Sequence, residues 1–220
     1  MGKSGDISPV AAILAVVASF FLLLFLGDVF AIWFGFGIAM VLAELLVIVI
    51  PLGYMLHKRV NIRSYIGLDV KPLHIALGLA FGALFFVLDL FISALLVSIF
   101  GPSKAVEESN NLITDVSGSP EGLLEVIAAL SLAGICEEFT FRGFLQSAIN
   151  RRYSSGIALL VSSLAFGLFH FDPQAVYIIS AFLIGLVLGY IYHRWHSYTV
   201  SAVAHAALNL ITLTIMLLIR

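Results

Sequence analysis

The chain is poor in charge. Only 11% of its 220 residues are Asp, Glu, Lys or Arg, where a soluble domain carries about 25%. A water-facing surface cannot be clothed with so few charges. There is one cysteine, Cys136, which excludes an intrachain disulfide. The formal net charge of −2 supplies no basic field and argues against a nucleic-acid partner. No internal repeat, low-complexity tract or soluble domain interrupts the chain. No small-residue cleavage site follows the first apolar run. The opening MGKSGDISPV is therefore expected to lead into a membrane helix rather than to be a removed signal peptide. Met1-Gly2 begins a myristoylation-like pattern, but Asp6 stands where that motif wants Ser or Thr.

What is abundant is hydrocarbon. Hydrophobic residues make up 61% of the chain, and the mean hydropathy is +1.11. The apolar runs predict about seven spans, near 9–27, 30–56, 73–100, 122–149, 155–171, 174–192 and 197–219. An unpaired backbone cannot cross lipid, so the expected fold class is all-α: one polytopic transmembrane helical bundle over residues 1–220. With seven spans, Lys3, the group Lys58, Arg59, Arg63 and Lys71, the pair Arg151 and Arg152, and Arg194 all fall on one side. The other side receives Asp28, the loop around 101–121 with only Lys104, Asp172 and the C-terminal Arg220. That asymmetry predicts a cytoplasmic N-terminus and an integral protein of the cell membrane.

Polar residues inside the spans carry the functional signal, since a charge at the centre of a membrane helix costs about 2.5–3.5 kcal/mol on insertion scales. The stretch ICEEFTFRGF, residues 135–144, holds Glu137, Glu138 and Arg142. Glu138 and Arg142 are i and i+4, in the acid-before-base order that favours pairing. Glu137 is turned about 100° away. It is left comparatively unpaired in an apolar setting, where a carboxylate is readiest to take a proton. In the next span, Phe166 and His170 are i and i+4, so the ring lines the histidine's own face. In the last, His205 and Asn209 are i and i+4 among the small residues Ala202, Ala206 and Ala207, a composition equally suited to close helix packing. At about 1.5 Å per residue from the cytoplasmic ends, Glu137 lies roughly 20 Å deep, His170 roughly 22 Å, Asn209 roughly 18 Å and His205 roughly 12 Å. Polar groups from three helices in one slab fit a water-holding cavity.

That set contains a base, two histidines and an amide. No serine or cysteine is paired with a histidine, so attack by activated water is expected rather than a covalent intermediate. Glu137 would accept the proton and His170 would help hold the water. His205 and Asn209 would donate to an oxyanion. The reaction class is hydrolysis of an acyl bond, most plausibly a peptide bond. A metal alternative uses Glu137, His170 and His205 as a His₂Glu zinc set, although the H-E-x-x-H helix is absent. A proton-coupled transporter is a rival class, because buried Glu, His and Asp chains also relay protons. No paired inverted halves support it. Glu44 and Asp89, in the middles of the second and third expected spans, are expected to meet polar groups from other helices.

The motifs EEFTFR, FGLFH and HAALN follow the patterns E-E-x-x-x-R, F-x-x-x-H and H-x-x-x-N. In this order on successive membrane helices they resemble the CPBP family, also called Abi proteins. These are intramembrane proteases of the CAAX prenyl endopeptidase type II and bacteriocin-processing group. The resemblance covers about residues 122–215. It implies Glu137 as the water-activating glutamate, His170 as its partner, and His205 with Asn209 on the oxyanion side. Glu138 and Arg142 are implied as supporting residues. It implies a peptide or prenylated protein substrate losing its last three residues, and a site reached from the cytoplasmic side; no cofactor is expected, with zinc as the alternative. Some relatives are linked to bacteriocin immunity, so a non-proteolytic immunity protein is a further alternative.

Overall fold

The computed structural model describes residues 6–219. Helix α1 (Pro9–Phe34) starts where Ser8 caps the N–H of Ala11 and Pro9 takes the first turn. It was expected to end near residue 27, with Asp28 in an external turn. The helix instead runs through Asp28 to Gly35, whose φ of +83° is a conformation that glycine adopts without a side-chain penalty. Nothing before Gly35 breaks the helical pattern. Helix α2 (Phe36–His57) returns along α1. A short helix, α3 (Ile62–Tyr65), leads to α4 (Pro72–Phe100).

The segment expected to be a plain loop contains an amphipathic helix, α5 (Lys104–Val116), capped by Ser103. None of its residues is buried. Helix α6 (Pro120–Glu138) then passes without a break into a π-helical segment, Phe139–Gln146, and into α7 (Ser147–Asn150). Three helices complete the chain: α8 (Ser155–Phe169), α9 (Val176–Trp195) and α10 (Tyr198–Leu218).

The molecule is a polytopic helical bundle of an integral membrane protein. Five of the described helices, α1, α2, α4, α9 and α10, are long and apolar enough to cross a membrane. Helix α8 is apolar but shorter, and the α6–α7 rod is the one that carries the acidic pair. Seven spans were expected; among the described helices five meet the length and hydropathy of a span. The outer faces expose Phe25, Trp33, Phe91 and Leu95, as lipid-facing surfaces do.

Helix α10 is held between α4 and α6 at backbone distance. A Cβ on Gly82 of α4 would lie 2.5 Å from Ala207 Cβ, and one on Gly134 of α6 would lie 2.5 Å from the Ala206 nitrogen. Small residues on both sides allow this approach, which brings His205 against α6. At the far end of α8, the loop 170–175 is tied to the start of α5. Ser103 Oγ donates to Asp172 at 2.9 Å, and Lys104 N donates to Gln174 Oε1 at 2.6 Å. Burial opposes the Asp172 charge, but the N–H groups of Tyr177 and Gln174 and the Ser103 hydroxyl outweigh it and hold its pKa below the ordinary aspartate value. These bonds fix the turn that presents His170 and Tyr177.

Candidate active site

The acidic pair sits where α6 changes pitch. Glu138 is the last α-helical residue, and every residue of the following π segment is buried. Such segments are rare and concentrate at functional sites. This one is pinned from three sides. Thr140 Oγ1 donates to Val47 O of α2 at 3.1 Å, and Ser162 Oγ of α8 donates to Phe141 O at 2.8 Å. Arg142 Nη2 and Gln146 Nε2 donate to Gly185 O and Gly189 O of α9 at 3.1 and 2.9 Å. The Ser147 hydroxyl donates to the Arg142 carbonyl at 3.2 Å, so a carbonyl in the middle of the π segment gains a side-chain partner.

Glu138 and Arg142 are both fully buried, and Arg142 Nη1 lies 2.9 Å from Glu138 Oε1. The guanidinium also stacks over the Phe166 ring, 4.3 Å from its centroid. An isolated buried charge would be prohibitive; here each charge meets its opposite and Arg142 gains a carbonyl and an aromatic face.

His205 bridges the two acids. Its Nδ1 is 3.2 Å from Glu138 Oε1 and its Nε2 is 3.7 Å from Glu137 Oε2. A proton on Nδ1 donated to Glu138 fixes the ring's orientation and aims Nε2 at Glu137. Glu137 differs from its neighbour: its side chain keeps 13% of its surface exposed while that of Glu138 has none. Glu137 Oε2 itself is sealed and has no hydrogen-bond partner.

Phe166 is the common wall of the site. Its ring lies 4.7 Å from the His170 ring and 5.6 Å from the His205 ring. His170 caps the end of α8, with Nδ1 2.9 Å from Phe166 O and its ring edge-on to Tyr177 at 4.9 Å. Asn209 Nδ2 donates to Leu130 O of α6 at 3.3 Å, so one of its two amide protons ties α10 to α6. His205 and Asn209 do share the α6-facing side of α10, but their hydrogen bonds run to different targets. Among the described residues no three His, Cys, Asp or Glu side chains form a group that could hold a metal ion. Glu137, His170 and His205 do not make such a set.

Two residues outside the three motifs join this neighbourhood. The Tyr177 hydroxyl lies within electrostatic reach of Glu137, Asp89 and Glu44. Glu44 of α2 is in turn within reach of Glu137. Glu44 stands out in the sequence as an acid inside a span, but nothing there gives it a direction. Tyr177 carries no such signal, because tyrosine near a span end is ordinary.

A search of curated proteins and one of solved structures return no match. Residues 119–211 match a family model described as Rce1-like, type II CAAX prenyl endopeptidase Rce1-like. The matched segment runs from the cap of α6 into α10 and contains the acidic pair, Arg142, both histidines and Asn209. Through this segment, which is under half of the chain, the protein is similar to the type II CAAX prenyl endopeptidases.

Proposed function

We propose that the chain is a glutamate-dependent intramembrane endopeptidase that hydrolyses a peptide bond with activated water and removes the C-terminal tripeptide of prenylated CAAX proteins. One observation carries this reading. Glu137 is the acid of the pair that retains exposure, and it faces His205 Nε2 with an unpartnered oxygen. Its neighbour Glu138 is spent on Arg142 and His205.

In this reading Glu137 takes a proton from water as the water oxygen bonds to the scissile carbonyl carbon. His170, whose ring packs against Phe166, helps hold the water. The oxyanion receives hydrogen bonds from His205 Nε2–H, when the ring carries both protons, and from the second Asn209 amide proton. The C–N bond then breaks, and the proton on Glu137 passes to the leaving amine. Glu138 and Arg142 act behind His205, holding its ring. No step runs through a metal. The basic residues Lys58, Arg59, Arg63, Arg151, Arg152 and Arg194 mark the end from which substrate enters, the cytoplasmic end by the positive-inside rule.

The test is cleavage of a farnesylated CAAX peptide by purified protein, with and without chelator. Cleavage that resists chelator and disappears in Glu137→Gln, with the variant still folded, is expected. Full activity in Glu137→Gln rules out the base assignment.

A further inference from the structure

Resting on that reading, we propose that Glu44 of α2 is a catalytic residue, the second acceptor for the water that Glu137 activates. Glu44 lies in the middle of α2, which packs along α6. Its Oε2 and the Oε2 of Glu137 are both sealed from solvent, and neither has a hydrogen-bond partner. The two carboxylates feel each other's charge, and Cys136 feels both.

Buried acceptors are almost always satisfied, so each of these two orphan oxygens calls for a donor. Two nearby protein donor groups serve other acceptors. Arg142 serves Gly185 and Glu138, and His205 Nδ1 serves Glu138. A water molecule has two O–H groups and matches two orphan oxygens. Asp89, the other acid set in mid-span, receives the Ser180 hydroxyl at 3.0 Å and is a structural tie. Held between Glu44 and Glu137, the water gives one proton to Glu137 while its oxygen bonds to the carbonyl carbon. Its second proton stays on that oxygen and keeps its bond to Glu44. After C–N cleavage, Glu137 returns its proton to the amine, and Glu44 is unchanged.

An acceptor role needs an oxygen, not a charge, and this sets the experiment. On the farnesylated CAAX peptide, Glu44→Leu should lose about 10²-fold in kcat, the scale of a misplaced reactant, with KM within twofold of wild type. Glu44→Gln, which keeps a carbonyl oxygen, should restore kcat to within a few-fold. Thermal melting in detergent shows that both variants fold. Wild-type kcat in Glu44→Leu, or equal loss in both folded variants, overturns the proposal. A crystal structure of the wild-type protein in lipid mesophase decides independently of substrate. An ordered water within hydrogen-bond distance of both Oε2 atoms is expected, and Glu44 bonded to another side chain overturns it. An active Glu137→Gln sinks the parent reading. An inactive Glu137→Gln beside a fully active Glu44→Leu sinks this inference alone.

Discussion

The polar side chains of the site divide into settled pairs and open valences. Glu138 has Arg142 and His205; His205 has Glu138 and aims its other nitrogen at Glu137. Asn209 follows the same pattern. One amide proton goes to Leu130 O, and that bond orients the second. Asn209→Ala is therefore expected to lower kcat by about 10²-fold, the usual cost of one oxyanion donor. KM should change only a few-fold. Loss of thermal stability with kcat intact would reduce the residue to a helix tie. The i,i+4 spacing of Glu138 and Arg142 was sufficient to foresee their pairing, because both residues lie on one helix and local geometry decides. The contact of Phe166 with His170 follows from the same spacing. The division of His205 between two acids does not, since it depends on how α10 is rotated against α6.

At the scale of elements, the π segment and the close packing of α10 set the geometry. A uniform helix over 122–149 was expected; the widened turn from Phe139 to Gln146 is chosen by contacts from α2, α8 and α9, none of them local. Helix α10 comes near the acids because Gly134 has no side chain. Gly134→Ala would push a methyl group against the Ala206 backbone, an overpacking that costs about 1–3 kcal/mol. It should lower the melting temperature and the peptidase rate together by displacing His205. Gly156→Ala, with nothing within 4 Å, should match wild type in both measurements. The extension of α1 through Asp28 belongs to this scale too. One polar residue does not end a helix whose neighbours on both sides favour it, whereas Gly35 offers the backbone a turn that other residues disfavour.

For the whole molecule, the charge asymmetry makes a topological prediction. Single cysteines in place of Arg63 and Arg152, in a background with Cys136 replaced by Ala, should react with a membrane-impermeant thiol reagent from the cytoplasmic side. A cysteine at Lys104 should react from outside. Cys136 is only 3% exposed, so it adds little background even where retained. The reverse labelling pattern would invert the bundle and put the substrate entrance on the other face.

Composition and order along the chain determined the membrane habit, the helical class and the three motifs, because hydrophobic run length and i,i+4 spacing act within one helix at a time. What only the tertiary structure decided is which polar groups are paired and which are left open. The rotation of α10, the π turn and the approach of Glu44 from α2 are outcomes of packing among helices remote in sequence. A side chain's partner inside a membrane is whatever group the neighbouring helix delivers to the same depth and the same face.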